Sequence, residues 1–335
     1  MRRLVPLVAL VLAGCGGVAG STVPTSPPAT LTLDGPATAR IAHEDVRPVD
    51  PVTPRLPVTV DSFDGEAVTV SSVDRIVAVD LYGTLGEIVF SLGLGDDVVG
   101  RDSSTGFPSA ADVPVVTSGG HDLNAEAILD LNPTVVLTDT SIGPPEVPQQ
   151  LRAAGVPVVF FDPTRTLDGV PDQIRAVAAA LGVPPAGDAL VDRVTGEIDA
   201  ARALAPTGSS APRITFLYVR GTAGVYLMAG PDSGADAMIR AVGGVDVGTD
   251  IGLDQPFVPI TSEALLNARP DVILVLSKGL DSVGGVDGLL RIPGVGLTPA
   301  GEHRRIVDVD DTDLLSFGPR VGETITALAS VLYGS

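Results

Sequence analysis

The sequence predicts an α/β protein made of two similar Rossmann-like lobes that are joined by a long helix. The main observation is an internal repeat, LNAEAILDLNPTVVLT at residues 123–138 and ITSEALLNARPDVILV at residues 260–275. In each copy an Asn or Thr can cap a short helix, a proline marks the end of that helix, and an apolar strand follows. A strand that is apolar on both faces is typical of a buried parallel sheet. Two copies of one such unit therefore indicate two lobes.

The elements around the repeat indicate the same architecture. An Asp64-Gly65 turn predicts a hairpin over residues 58–70, and strands and helices then alternate through both halves of the chain. No pair of extended segments crosses between the halves, so we expect a helix to connect them. The predicted N-terminal lobe spans residues 58–185, the linking helix residues 186–205 and the C-terminal lobe residues 206–335, with strands at 75–79, 156–161, 213–219 and 306–309 and helices at 82–92, 144–154, 167–181 and 318–332.

The residues before position 58 predict export and a tether. Arg2 and Arg3 precede a short apolar run, which is typical of a secretory signal and too short to span a bilayer. The segment Leu-Ala-Gly-Cys that ends at Cys15 resembles a bacterial lipobox, which implies that residues 1–14 are a cleaved signal peptide and that the Cys15 thiol is lipidated. Residues 15–57, rich in Pro, Thr and Ala, would form a flexible tether. The alternative is an ordinary signal peptide with an incidental cysteine.

Composition narrows the possible ligands. A formal net charge of −20 argues against nucleic acid, whose phosphates need a basic surface. With 44% apolar and 19% charged residues the chain is globular, and its length allows two domains with substantial cores. Lys278 is the only lysine, which we interpret as a genomic bias toward arginine rather than as a site.

Three side chains are candidates for a ligand site between the lobes. His121 precedes the first repeat copy, while Tyr218 and Arg220 lie near the carboxyl end of a predicted strand, where alternation puts them on one face. Open α/β sheets bind ligands beyond the carboxyl ends of their strands, so these residues could face one cleft from opposite walls. We find no dinucleotide fingerprint, phosphate-binding loop or nucleophile elbow, and we expect no enzymatic activity.

Several further segments are informative when taken together. They are Gly-Gly-His-Asp-Leu-Asn-Ala-Glu at 119–126, Thr-Asp-Thr-Ser-Ile-Gly-Pro at 138–144, Tyr-Val-Arg at 218–220, Gly-Gly-Val-Asp-Gly-Leu-Leu at 284–290, Pro-Gly-Val at 293–295, Thr-Pro-Ala-Gly at 298–301 and Leu-Leu-Ser-Phe-Gly-Pro-Arg at 314–320. Together these segments resemble the haem-binding lipoproteins of bacterial haemin ABC importers, which belong to the helical-backbone group, class III, of solute-binding proteins. The resemblance covers roughly residues 58–333.

The resemblance implies that haem is the transported ligand and that His121 and Tyr218 bind its iron from the two lobes, with Arg220 beside the tyrosine. A phenolate is an anionic ligand suited to ferric iron, and both the iron and a guanidinium favour the ionised phenol. Tyr226 is a rival ligand and Tyr82 a weaker one. Two further arginines, Arg165 and Arg320, are candidates for the haem propionates, with structural salt bridges as the alternative. A tyrosine near 255–257 and a methionine near 276, frequent in the family, are absent.

The resemblance also implies partners. Binding proteins of this class present one carboxylate from each lobe to an ABC permease, and Glu87 matches the first of these positions. Arg240 stands at the second position, where Asp236 one turn earlier could substitute. Upstream haem-donor surface proteins are possible further partners. The protein would lie on the extracytoplasmic face of the cell membrane, held there by its lipid.

Two other ligand classes stay open. The same fold could serve a ferric siderophore or cobalamin, neither of which needs two protein ligands to iron. A zinc or manganese receptor is disfavoured, because such sites use several His and carboxylate ligands and only His121 is well placed.

Overall fold

The computed structural model describes residues 31–119, 121–206 and 211–334. The predicted signal peptide, Cys15 and residues 15–30 of the predicted tether lie outside these residues. Among the described residues, no helix is both long and apolar enough to cross a membrane.

The N-terminal lobe contains a four-stranded parallel sheet in the order β5-β4-β8-β9, with helices around it. The predicted hairpin is present as an antiparallel pair, β2 and β3. Its strands are β2 (Val58–Asp61), β3 (Ala67–Val70), β4 (Ile76–Val79), β5 (Val98–Arg101), β6 (Thr117–Ser118), β7 (Asp122–Leu123), β8 (Val135–Thr138) and β9 (Val158–Phe160), and its helices are α1 (Thr84–Ser91), α2 (Ala125–Asp130), α3 (Val147–Ala153) and α4 (Val170–Ala180).

The C-terminal lobe contains a larger mixed sheet. Strands β1, β15, β14 and β10 run parallel, β11 pairs antiparallel with β10 and β13 antiparallel with β11, and β12 pairs with one end of β10. The strands are β1 (Ala37–Ala39), β10 (Arg213–Arg220), β11 (Val225–Ala229), β12 (Val245–Asp246), β13 (Phe257–Pro259), β14 (Val272–Leu276) and β15 (Ile306–Val309), and the helices are α6 (Ala235–Ala241), α7 (Val247–Asp250), α8 (Ser262–Ala268), α9 (Ser277–Ser282), α10 (Gly285–Leu289), α11 (Pro299–Glu302) and α12 (Val321–Tyr333).

The repeat forms the same unit in both lobes, as predicted. The Asn124 side chain accepts a hydrogen bond from the Ala127 backbone N–H, and the Thr261 side chain accepts one from Ala264, so each short helix is capped at its start. The strand that follows is buried at every position in each lobe, β8 in one and β14 in the other. Helix α5 (Pro184–Arg202) connects the lobes close to the predicted linking helix and packs against α12. The fold is therefore the class III solute-binding arrangement of two α/β lobes and a helical connection.

The predicted tether is wrong for residues 31–57, which we call the N-terminal strap. Within it β1 pairs in parallel with β15 at the edge of the C-terminal sheet, Ala37 opposite Val307. Leu33 and Val46 are buried in the main core. The segment lacks the apolar periodicity that predicts a strand. Its backbone groups nevertheless find hydrogen-bond partners at the edge of the C-terminal sheet. The C-terminal lobe therefore includes a strand from the start of the folded chain.

The strap also reaches the linking helix and the other lobe. The Arg47 guanidinium lies 2.7 Å from the Glu197 carboxylate on α5 and 2.9 Å from the Glu323 carboxylate on α12. Further along, the Val49 N–H donates to the Ser91 carbonyl of the N-terminal lobe at 2.9 Å. The strap thus contacts both lobes and the helix that joins them.

A buried ion network holds the lobes together where α1 meets the start of α12. The Arg320 backbone N–H donates to the Glu87 carboxylate at 2.6 Å, and its guanidinium lies 3.4 Å from both Glu87 and Asp313. Glu87 is 1% exposed and Arg320 6% exposed. A Cβ at Gly318 would lie 2.7 Å from the Glu87 carboxyl group, so only glycine permits this approach.

These contacts correct two predictions. Glu87 does not present its carboxylate to a permease, because the network buries it between the lobes. Arg320 is not available to haem propionates, because Glu87 and Asp313 neutralise it and the Glu44 carbonyl accepts a hydrogen bond from it at 3.2 Å. The alternative docking carboxylate, Asp236, is also buried and lies 2.8 Å from Arg240.

Removing one member of the network should be costly. We expect Glu87→Ala to lower the free energy of unfolding by about 3–5 kcal/mol, because the buried Arg320 would lose the carboxylate that accepts its backbone N–H and keep only Asp313 as a charged partner. Urea denaturation followed by circular dichroism measures the change. Asp188→Ala, which breaks an exposed ion pair with Arg175, is the control and should have no measurable effect. Equal midpoints for wild type and Glu87→Ala would contradict this account.

Stability should also depend on the protonation of Asp313. Burial raises the pKa of Asp313 to about 7, although Arg320 opposes the shift. A carboxyl group whose pKa is higher in the folded than in the unfolded state stabilises the fold at low pH, and that contribution is lost as the pH rises through about 7. We therefore expect a higher urea midpoint at pH 5.5 than at pH 8, and a smaller difference in Asp313→Asn. The same pH dependence of the urea midpoint in both proteins would show that Asp313 is not its source.

Candidate functional site

The cleft between the lobes lies beyond the carboxyl ends of the parallel strands. It contains a cavity of about 460 Å³ whose walls come from both lobes. The residues that line it are Leu81, Tyr82, Ser103, Ser104 and His121 from the N-terminal lobe, and Tyr218, Arg220, Leu227, Phe257, Leu276, Lys278, Asp311, Thr312, Leu315 and Ser316 from the C-terminal lobe.

His121 is on the N-terminal wall of this cavity. It lies in the loop between β6 and β7, where its backbone N–H donates to the Ser118 carbonyl at 3.2 Å. Its side chain is exposed and lines the cleft, and among the described residues no side chain forms an ion pair or hydrogen bond with either ring nitrogen. A loop position with a free imidazole suits a ligand that enters from outside.

Tyr218 and Arg220 are on the opposite wall, and alternation along β10 puts both on one face as predicted. The Tyr218 ring packs edge-on against Phe257, with 6.2 Å between ring centroids. The Arg220 guanidinium carbon lies 4.6 Å from the Tyr218 ring centroid, and its Nη2 is 2.6 Å from the Asp311 carboxylate. The arginine is thus held in place beside the phenol by an acid that the sequence analysis did not identify.

Tyr226 does not belong to this cleft. In the antiparallel ladder of β10 and β11, Tyr226 is opposite Val219, whereas Tyr218 is opposite Leu227. Neighbouring positions on a strand point to opposite faces of the sheet, so Tyr226 faces away from Tyr218. It lines a separate cavity with Arg291. Tyr226 is therefore excluded as a rival for a ligand held in the cleft.

Tyr82 does line the cleft, but its surroundings disfavour a phenolate. The Arg165 guanidinium carbon lies 3.7 Å from the Tyr82 ring centroid. Burial raises the pKa of Tyr82, and Asp139 and Asp80 add to the shift while Arg165 opposes it. Arg165 itself has no carboxylate within 4 Å in the described part of the chain, and its Nη1 donates to the Pro163 carbonyl at 3.2 Å.

Buried carboxylates support the N-terminal wall from below. Asp80 accepts hydrogen bonds from the backbone N–H groups of Tyr82, Thr84 and Leu85. Asp102, next to it, accepts from the Asp80 backbone N–H at 3.1 Å. Burial raises the pKa of both carboxyl groups, and Coulomb repulsion from Asp102 adds to the shift at Asp80. These acids shape the turn that carries Tyr82 into the cleft.

The described residues do not form a multidentate metal site. No three His, Cys, Asp or Glu side chains among residues 31–119, 121–206 and 211–334 are grouped so that they could hold an ion. A cluster of His and carboxylate ligands of the kind that zinc or manganese receptors use is thus not found there.

Among the cavity residues that the sequence analysis did not identify are Lys278, Asp311, Phe257 and Leu227. Lys278 and Asp311 follow the ends of β14 and β15, and the rule that ligands bind beyond strand ends could have identified them. Phe257 and Leu227 lie on the antiparallel strands β13 and β11, to which that rule does not apply. Phe257 and Leu276 give the cleft apolar surface at the two places where the tyrosine and methionine are absent.

Solved haem-binding proteins have this fold. The haem-binding protein HmuT is 40% identical to the chain, with a TM-score of 0.85 over 90% of this chain and 98% of that one. HmuT variants with alanine in place of a histidine, of a tyrosine and of an arginine two residues beyond that tyrosine have also been solved. The apo form of RhuT from Roseiflexus sp. RS-1 is 45% identical, with a TM-score of 0.72 over 78% of this chain and 98% of that one.

Sequence relatives include binders of a different ligand. The cobalamin-binding protein of Halobacterium salinarum is 26% identical over 83% of this chain and 75% of its own length. The periplasmic binding protein family matches residues 77–312, a region that holds both walls of the cleft and the helix between the lobes. The chain therefore belongs to the periplasmic binding protein family, whose members with this fold bind solutes for transport.

Proposed function

We propose that this protein is an extracytoplasmic receptor that captures haem in the cleft between its lobes and delivers it to an ABC permease. The observation that carries the proposal is that an imidazole and a phenol, His121 and Tyr218, line one cavity from opposite lobes. Ferric iron in a porphyrin has two axial positions, and this pair could occupy both. Similarity to HmuT and RhuT supports haem as the ligand.

Each iron ligand would have a defined role. The Tyr218 phenol would lose its proton to bind ferric iron as an anion, and the adjacent Arg220 guanidinium would stabilise the phenolate while Asp311 keeps the guanidinium in place. His121 would supply a neutral nitrogen from its loop. The apolar side chains of Leu81, Leu276 and Leu315 would cover the porphyrin and exclude water, which is the main source of affinity in such sites.

Lipidation and partners form the second part of the proposal. The lipobox-like segment supports lipidation of the Cys15 thiol, which would hold the receptor on the outer face of the cell membrane. Delivery to an ABC permease is consistent with the family. With Glu87 buried, the surface that meets the permease must lie elsewhere. Acceptance of haem from upstream donor surface proteins stays a prediction of the sequence.

Cobalamin is the second candidate, because binders of it are among the relatives. A ferric siderophore stays open on fold alone. Neither ligand would use both a phenolate and an imidazole as iron ligands, so the pair of side chains in the cleft favours haem. Titration of the purified protein with haemin and, separately, with cyanocobalamin distinguishes the two ligands. Cobalamin binding at one per chain with no spectral change on adding haemin would reverse the proposal.

The phenol oxygen of Tyr218 should be required for the haem spectrum. We expect wild type to bind one ferric haem with a Tyr/His absorption spectrum. Tyr218→Phe keeps the ring that packs on Phe257 and removes only the ligand atom, so its spectrum should change and its affinity should fall by about tenfold or more, roughly 1.4 kcal/mol. Tyr226→Phe, on the opposite face of the sheet, is the matched control and should behave as wild type. An unchanged spectrum in Tyr218→Phe would assign the ligand elsewhere.

His121 should contribute from the other lobe. We expect His121→Ala to retain the charge-transfer band of a ferric phenolate while its spectrum shifts to that of a complex with one protein ligand. Magnetic circular dichroism of the haem complex separates these states. His43, an exposed histidine of the strap that lies 3.0 Å from Glu323, provides the control variant His43→Ala. Loss of the phenolate band in His121→Ala would contradict independent ligation by the two lobes.

A further inference from the structure

The only lysine of the chain is on the C-terminal wall of the cleft. Lys278 lies two residues beyond β14 and lines the same cavity as Tyr218 and His121. Its backbone N–H donates to the Asp311 carboxylate at 2.9 Å, which holds the main chain at this point. Its side chain is exposed. The interpretation of Lys278 as a mere genomic bias therefore misses where the fold puts it.

Among the described residues, the Lys278 ammonium group has no ion-pair or hydrogen-bond partner. Both oxygens of the nearest acid, Asp311, are already used: Oδ2 lies 2.6 Å from Arg220, and Oδ1 accepts the Lys278 backbone N–H. Throughout the described residues, no carboxylate lies within ion-pair distance of the Lys278 nitrogen and no hydrogen bond forms to it. The pair Arg220–Asp311 is neutral, so Lys278 leaves one unbalanced positive charge on this wall, in a chain whose formal net charge is −20.

The positive charge of Lys278 is complementary to the negative charges of the proposed ligand. The ferric porphyrin core carries one positive charge, which the Tyr218 phenolate would cancel, so the two propionate carboxylates of haem would remain as unbalanced negative charges. An ammonium group is a compact charge with three donors, suited to a carboxylate that reaches it from one side. The corrin side chains of cobalamin end in neutral amides and offer no carboxylate to this charge.

We propose that Lys278 binds a propionate of haem and so selects a carboxylate-bearing porphyrin. The inference rests on the proposed function and adds a residue that recognises the periphery of the porphyrin rather than its iron. Neither nearby arginine can take this role on the same wall. Arg220 is neutralised by Asp311, and Arg165 is on the other lobe, stacked on the Tyr82 ring. Lys278 would therefore act on specificity and not on iron ligation.

The test compares ferric protoporphyrin IX with its dimethyl ester, in which both carboxylates are blocked and the iron is unchanged. We expect Lys278→Gln to weaken binding of the acid by about three- to tenfold, in the range of a partly exposed charge pair, and to leave binding of the ester unchanged. The absorption spectrum should stay that of wild type with both ligands. Arg291→Gln removes one exposed positive charge from the cavity on the opposite face of the sheet and should alter neither affinity.

A second measurement uses wild type alone. Since Lys278 is the only lysine, an amine-acetylating reagent should modify one side chain, and mass spectrometry of the peptide that contains it gives the rate. Saturating ferric protoporphyrin IX should slow this reaction at least several-fold, and the dimethyl ester should not. This readout holds even if Lys278→Gln folds poorly.

The outcomes separate the two proposals. If wild type shows no spectral change with either porphyrin, the proposed function fails. If wild type binds with the expected spectrum but Lys278→Gln loses nothing, or loses affinity for acid and ester equally, only the role of Lys278 is overturned. An acetylation rate that is the same with and without the bound acid would overturn it as well.

Discussion

The buried interaction of Glu87 with Arg320 is the constraint on which the geometry of the cleft depends. Arg320 is linked to Asp313 as well, so one cation joins an acid from each lobe in a region that water does not reach. A buried charge without its partner is strongly unfavourable, which makes separation at this point costly. The side chains on either side of the cleft are therefore held at a distance set by the network and by the strap that crosses the lobes.

The two walls of the cleft differ in rigidity and in exposure. Tyr218 lies on β10, and Lys278 lies in the first turn of α9 directly after β14, so the C-terminal wall is built on buried parallel strands. His121, by contrast, is in a two-strand hairpin loop of the N-terminal lobe. A phenol fixed on one wall and an exposed imidazole on the other suit a receptor that must both take up and release its ligand.

The charges in the cleft are local exceptions in a strongly acidic protein. Arg220 is balanced by Asp311, whereas Lys278 is not balanced by any described carboxylate. Buried acids such as Asp80 lie beneath the wall, where burial disfavours their charged form. Hydrogen bonds from backbone N–H groups satisfy their carboxylate oxygens there. The cleft thus presents the Lys278 cation to a ligand while the acids near it are satisfied within the protein.

The sequence by itself determined the two-lobed α/β architecture, because capping residues, prolines and apolar strands act locally and the repeat shows them twice. It also put Tyr218 and Arg220 on one face, since alternation along a strand is a property of the backbone. Only the tertiary structure decided the rest. Glu87 is buried and the strap is ordered because partners far along the chain, Arg320 and β15, meet them in space, and no local pattern encodes which distant charge or strand edge a segment will find.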